Sequence, residues 1–326
     1  MIIIRTPFRV SFFGGGTDYA GYYEKYGGTV LSTTIDKYCY VSARHLPPFF
    51  DYTNQFTYSR IERFNEPSEV EHPLVREAMK YIPVERLQLS YDADLSACSG
   101  IGSSSAFAVG LVFALHAMRN EYPDKMTLAK EAIYIERELC HEAGGVQDQL
   151  ASAFGGFNRL SFTADGFSVA SLDLSTERIR RFQNNLMLMF TGFTHFSGAV
   201  AKEQQENIPT TTAQLHEMKQ MTYEAEKILR SGEIDDVGRL LDESWRLKRS
   251  LSSVISNSTI DEIYTDAKKY GALGGKLLGA GGGGFMLLYV PIQKQENLMH
   301  AFSEFKFVPF SFEKSGSKIL YENEIM

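Results

Sequence analysis

The chain has 326 residues, 44% of them hydrophobic and 22% charged, a globular composition with room for one large or two ordinary domains. Its net charge of −7 argues against nucleic acid as a partner, because nucleic-acid binders carry a basic patch. Cys39, Cys98 and Cys140 lack metal-ligand spacing, Met1-Ile2-Ile3-Ile4 is cut short by Arg5 and Pro7, and no apolar run nears the ~18 residues of a membrane span; together these predict a cytoplasmic protein with no membrane partner.

Taken in order, residues 2–13 alternate around Ile2, Ile4, Val10 and Phe12 and predict a strand. It runs into Gly14-Gly15-Gly16-Thr17-Asp18-Tyr19, a glycine turn with one carboxylate. Gly27-Gly28 opens a second strand-rich segment, Thr29 to Ala43, and Tyr52 to Arg63 reads as a strand or hairpin arm. Pro73 falls in the first turn of a helix expected to reach Ile82.

A strand marked by Leu87, Leu89 and Tyr91 then leads into Ser96-Ala97-Cys98-Ser99-Gly100-Ile101-Gly102-Ser103-Ser104-Ser105-Ala106, ahead of a helix from Phe107 to Met118. Gly100 and Gly102 let backbone pass close to a ligand, and three hydroxyls stand where the helix begins. A helix start offers free N–H groups and the positive end of its dipole, which suits a phosphate, and a hydroxyl there can ligate Mg²⁺. An ordinary Gly-Ser helix cap would use the same residues. The stretch fails three known patterns. It lacks the third glycine of the dinucleotide fingerprint, a Lys after Gly102 for Walker A, and, at Ala106, the closing glycine of a nucleophile elbow. Gly274-Gly275-Lys276 also lacks the opening glycine of Walker A.

Leu128 to His141 predicts a helix with an apolar face of Ala129, Ala132, Ile133, Ile135 and Leu139. Gly144-Gly145 stops it, Val146 to Ala153 restarts a short helix carrying Asp148, and Phe157–Phe162 with Phe167–Leu174 reads as a hairpin around Asp165-Gly166. Near residue 184 the texture changes. A strand from Leu186 to Thr191 precedes charge-laced helical sequence from Ala199 to Leu251, whose charges are expected to face solvent. Leu278-Gly279-Ala280-Gly281-Gly282-Gly283-Gly284 enters a buried strand at 285–290, and a helix near 293–303 and a strand near 305–313 follow. The pattern predicts an α+β protein of two domains, 1–183 and 184–326, meeting at a cleft.

Three segments taken together resemble the GHMP family of small-molecule kinases. They are Thr6-Pro7-Phe8-Arg9-Val10 running into Gly14, Thr17, Asp18 and Tyr19; Gly100 to Ala106; and Leu278 to Phe285. The resemblance implies an N-terminal ATP-binding domain like domain 2 of ribosomal protein S5, a ferredoxin-like C-terminal domain, and an active site between them. It implies ATP and Mg²⁺, with Ser99, Gly100, Ile101, Gly102, Ser103, Ser104 and Ser105 as the phosphate loop and Ser104 with Glu136 as magnesium residues. Asp148, in Gly145-Val146-Gln147-Asp148-Gln149, falls at the catalytic aspartate, as a true base or an electrostatic positioner. Arg9 is expected beside it, helping to neutralise the transferring phosphate.

Where galactokinases carry Glu-His, this chain has Gly15-Gly16, which disfavours galactose. The triple-glycine turn, with Gly27 to Ser32 and Thr34 to Tyr38, is similar to the D-glycero-D-manno-heptose 7-phosphate kinase branch. That branch phosphorylates an anomeric hydroxyl on the way to nucleotide-activated heptose. Gly15, Gly16, Thr17, Asp18, Asp36, Gly281, Gly282 and Gly283 are the implied sugar-binding residues, and Lys37, Arg44, Arg60 or Lys202 could each hold the sugar's phosphate. Kinases of fucose, another hexose or an octose phosphate, or a silent sugar- and ATP-binding regulator, are the rival readings; monomer and homo-oligomer stay equally open.

Overall fold

The computed structural model describes residues 1–97, 99–193 and 197–323, so Cys98, and His195, which is expected to be a packing or loop residue, lie outside it. In chain order the first half comprises β1 (Ile2–Phe13), α1 (Ala20–Tyr26), β2 (Gly28–His45), β3 (Asn54–Thr57), β4 (Ile61–Phe64), α2 (Pro73–Tyr81), β5 (Leu87–Ala93), α3 (Ser103–Met118), α4 (Lys125–Tyr134), α5 (Gln147–Phe154), β6 (Phe157–Thr163) and β7 (Gly166–Ser171). The second half comprises α6 (Thr176–Asn184), β8 (Leu186–Phe190), α7 (Ser197–Glu206), α8 (Ile208–Ser231), α9 (Ile234–Ser250), α10 (Ser258–Lys269), β9 (Gly274–Leu277), β10 (Phe285–Tyr289), α11 (Ile292–Ala301), β11 (Lys306–Val308), β12 (Phe312–Glu313) and β13 (Lys318–Glu322).

Among the described residues these strands make two sheets. The larger runs β13-β1-β2-β5-β3-β4, with β6 and β12 also paired to β2 and β7 to β6; the smaller runs β11-β8-β10-β9. The long β2 can serve so many partners because β6 occupies its first residues, Gly28–Thr33, and β5 its last, Cys39–His45. The chain changes sheets between β7 and β8, after Ser171 and before Leu186. Its tail then returns: Phe312 pairs with Ile35, and Ile3 with Tyr321, so residues 312–322 sit on the first sheet. The strand expected near 305–313 is thus two short strands on different sheets, parted at 309–311.

Helix α3 is apolar all round and buried from Ala106 to Met118 apart from glancing exposure, as a helix enclosed by other elements must be. It packs with α2, α4 and α5 on one side of the first sheet. Elsewhere the termini follow local chemistry. Asp124 caps α4 by accepting from Thr127 N at 2.9 Å, and Asn257 caps α10 by accepting from Ile260 N at 3.0 Å. The two sheets are joined by a continuous apolar cluster in which Phe8, Val10 and Phe12 of β1 meet Val237 and Leu241 of α9 and Leu287 of β10. Another cluster, around Trp245, draws on both halves: Tyr19 and Tyr22 of the first join Met189, Leu277 and Leu288 of the second. Among the described residues no helix is long and apolar enough to cross a membrane.

Candidate active site

A cleft of about 860 Å³ opens between the two halves, and its wall includes the start of α3, the Gly15–Gly16 turn, Glu136, Asp148 and the Gly279–Ala280 corner. Gly100 and Gly102 adopt left-handed backbone, φ 82° and 75°, as the loop reading requires. The start of α3 has no side-chain cap, so the amides of its first turn stay available to a ligand. Ser99 and Ile101 are buried and act as anchors: Phe285 N donates to Ser99 O at 2.9 Å, and Arg9 N to Ile101 O at 3.1 Å. Gly102, Ser103, Ser104 and Ser105 face the cleft. The far half supports this loop by direct backbone contact. A Cβ on Gly279 would lie 2.6 Å from Gly100 Cα, and one on Gly100 2.5 Å from Leu278 O.

Arg9, on β1, and Asp148, in the first turn of α5, form a two-pronged ion pair of 2.7 Å per hydrogen bond. Arg9 also donates to Gly100 O at 2.6 Å, which fixes the pair against the Gly100–Gly102 loop. A Cβ on Gly102 would come within 3.2 Å of Asp148 Oδ2. Ser104 donates to Glu136 Oε1 at 3.0 Å, and Gln149 donates to Glu136 Oε2 at 2.5 Å. Glu136 reaches inward from a π-helical turn, Ile135–Leu139, where the predicted helix departs from regular α geometry and Cys140 N bonds Ile135 O. Hydroxyl and carboxylate are hard oxygen donors that together fit Mg²⁺, an ion that takes few protein ligands.

Asp18 is buried, accepting from Gly16 N at 2.9 Å and Gln147 Nε2 at 3.0 Å. Burial, and then the charge of Asp148, push its carboxyl up from the ordinary carboxylate range. Thr17 is buried beneath the turn, donating to Gly14 O and accepting from Thr29 N.

Two cations of the second half escaped the sequence reading. Lys248 of α9 donates to Leu277 O at 3.1 Å and Gly279 O at 2.5 Å, and Lys276 of β9 donates to Phe12 O at 2.9 Å. Both are buried on the cleft wall. Burial, with Arg9 opposing and Asp18 favouring the charge, brings the Lys276 ammonium down to about 7; burial and the Lys276 charge hold Lys248 well below its ordinary value. The expectation that charges of 199–251 face solvent therefore fails at Lys248, and at Asp242, which accepts from the Tyr264 hydroxyl. A row of lysine, glycine and apolar residues leading into a glycine run gives no periodic sign that its cation turns inward. The cleft wall also includes an aromatic group: His72 meets Phe56, Tyr58 and Phe107 edge-on, and Phe56 stacks on Tyr58 at 4.7 Å. His72 Nδ1 is buried with no partner among the described residues, and burial lowers its pKa.

Several expected residues lie away from the cleft. Asp36 binds Ser311 N and Lys37 at the β2 edge, because β12 docks there. Gly281 packs toward Ile255 and Gly283 toward Phe193, and Gly282 N donates to Ile255 O, so this run is a packing corner of the second half, not part of the cleft wall. Of the four cations considered for a sugar's phosphate, Arg44 bonds Gln88, Arg60 bonds Glu71 and Lys37 bonds Asp36; Lys202 lines the cleft.

Sequence profiles match in both halves: the GHMP kinases N terminal domain over residues 72–156 and the GHMP kinases C terminal domain over 225–306. The chain is 30% identical to a D-glycero-alpha-D-manno-heptose 7-phosphate kinase of Campylobacter jejuni subsp. jejuni serotype O:2, across 96% of this chain and 97% of that one. Its fold is similar to a crystal structure described as a D-glycero-D-manno-heptose 1-phosphate kinase from Bacteriodes thetaiotaomicron, with TM-score 0.81 at 22% identity, covering 99% and 100% of the two chains. A putative sugar kinase from Campylobacter jejuni aligns with TM-score 0.75 at 28% identity, over 98% and 97%.

Proposed function

Because the chain belongs to the GHMP kinase family, and is an ATP-dependent sugar kinase, we propose that it phosphorylates the anomeric hydroxyl of D-glycero-D-manno-heptose 7-phosphate, giving the 1,7-bisphosphate. The observation that carries this reading is the Arg9–Asp148 pair set against the phosphate loop. Similarity to the Campylobacter jejuni heptose phosphate kinase along nearly the whole chain supports the choice of sugar, as does the room left where Gly15 and Gly16 carry no side chains.

The nucleotide base lies against the wall of Phe56, Tyr58, His72 and Phe107, and the phosphates pass over the amides of residues 102–105. Ser104 and Glu136 would hold Mg²⁺, which when bound would supply positive charge against the phosphates. The anomeric oxygen attacks the γ-phosphorus, the bond to the bridging oxygen breaks, and ADP leaves with that oxygen. The hydroxyl's proton passes to Asp148, which is held in one orientation by Arg9. Asp18, among the donors of Gly16 and Gln147, receives a sugar hydroxyl. Residues 1–183 carry the nucleotide, and 184–326 supply Lys202, Lys248, Lys276 and the Gly279 corner.

The test is turnover of heptose 7-phosphate with ATP and Mg²⁺, with the product identified by mass and phosphorus NMR, against L-fucose, galactose and mannose in parallel. A new anomeric phosphate with heptose 7-phosphate alone is the expected result. Faster turnover of an unphosphorylated hexose would reassign the substrate.

A further inference from the structure

Three polar groups on the acceptor side of the Arg9–Asp148 pair have unused hydrogen-bonding capacity. Ser11 is 6% exposed and its Oγ has no partner among the described residues. Gln147 commits Nε2 to Asp18 and leaves Oε1 buried without a partner among them. Lys276, 3% exposed, has three N–H bonds when charged and gives one to Phe12 O. These groups converge. A Cβ on Gly15 would lie 3.8 Å from Ser11 Oγ and 3.7 Å from Gln147 Nε2, and the acceptor of Lys276 belongs to the residue after Ser11. All of them line the cleft.

The mixture of donors and acceptors decides the ligand chemistry. A phosphate would want donors only, yet Gln147 Oε1 and the Asp18 carboxylate beside it are acceptors. A sugar hydroxyl donates and accepts at once. An ammonium, an amide oxygen and a serine hydroxyl around one small space therefore match neighbouring hydroxyls of a polyol. The charged groups facing Lys276 are Arg9 from β1, Lys248 from α9 and Asp18 from the turn, two cations and one carboxylate.

We propose that Ser11, Gln147 and Lys276 form a subsite for hydroxyl groups of the acceptor sugar and thereby set which polyhydroxylated acceptor is used. The inference rests on the sugar-kinase reading and adds to it the residues that choose the sugar.

The experiment uses the full chain with the sugar that gives turnover and a set of its monodeoxy analogues, reading KM for sugar and for ATP separately. Ser11→Ala is expected to raise KM for the sugar about tenfold and leave KM for ATP unchanged. One deoxy analogue that costs the wild type about tenfold should cost Ser11→Ala nothing further, because the hydroxyl and its partner would already be parted. Lys276→Met, tested in the same way, should pair with a different deoxy position. Deoxy losses that add fully in both variants, or equal rises in both KM values, would overturn the subsite and leave the kinase assignment standing. No turnover by the wild type with any sugar would overturn both.

Discussion

Arg9 Nε and Nη2 each approach one oxygen of Asp148 at 2.7 Å, while Arg9 Nη1 lies 2.6 Å from Gly100 O, so one guanidinium fixes the candidate base and the phosphate loop together. A carboxylate gripped at both oxygens is well oriented and has fewer lone pairs left for the incoming hydroxyl. Asp148→Asn is therefore expected to lower kcat by about 10²–10⁴-fold with little change in the affinity for a non-hydrolysable ATP analogue. Calorimetric titration beside steady-state rates separates the two effects. Unchanged turnover would make the pair purely architectural.

The close packing of Gly279 on Gly100 gives a second outcome. At Gly279, φ is 70°, and a side chain would press into the Gly100 backbone at 2.6 Å, where nothing flexible can yield. Gly279→Val should lose nucleotide binding by at least about tenfold through displacement of the phosphate loop. Gly283 has ordinary φ and would meet Phe193 O at 3.0 Å, outside the cleft wall. Gly283→Ala should then keep activity within a few-fold. Comparable losses in the two variants would show that the whole run acts as one unit.

Much of this site was legible because its parts are local. Glycines before a helix, a hydroxyl triplet and a carboxylate in a short helix each announce themselves within a few residues, and Arg9, Ser104, Glu136 and Asp148 do converge. The strands of residues 2–13 and 28–45 follow likewise from β-branched and aromatic alternation. What stayed hidden depends on distant pairing. Asp36 lies in a strand near a threonine pair, and only the docking of β12 on β2, nearly the whole chain away, gives its carboxylate a partner in Ser311 N. Lys276 stands among glycines and apolar residues with no periodic sign of burial, and only its bond to Phe12 O of β1, far away in the chain, shows that it turns toward the cleft.

Asp18 and Asp36 should consequently behave differently. Asp36→Asn removes part of a half-exposed contact to Ser311 and is expected to cost about 1 kcal/mol or less of stability, with KM for sugar unchanged. Asp18→Asn should raise KM for the sugar, since its carboxylate lines the cleft beside Gly15 and Gly16. Denaturant unfolding and substrate titration on both variants check this. A raised sugar KM in Asp36→Asn would return that residue to the site.

The aromatic wall yields a prediction for the nucleotide alone. Removing the Tyr58 ring takes one stacking surface from the group around His72, and base–aromatic stacking is worth about 1–3 kcal/mol. Tyr58→Ala should weaken ADP about tenfold or more and leave inorganic triphosphate, which has no base, unaffected. Equal weakening of both ligands would locate the base elsewhere.

Lys276 predicts a slope of stability against pH. Its pKa falls from 10.5 in a solvated chain to about 7 in the fold, where burial and Arg9 oppose the charge. Between those values the unfolded chain holds a proton that the folded chain does not, so this lysine makes stability rise with pH from about 7 upward. Below about pH 7 both states are protonated, and the full cost of the buried charge is present. Lys248 contributes with the same sign. Cys39, Cys140 and the buried tyrosines have raised values and contribute with the opposite sign, but they are common to wild type and variant. Urea unfolding of the ligand-free protein between about pH 6 and about pH 9 should give a flatter or more negative slope in Lys276→Met than in the wild type. Parallel curves would mean that Lys276 keeps its proton in the ligand-free fold throughout that range.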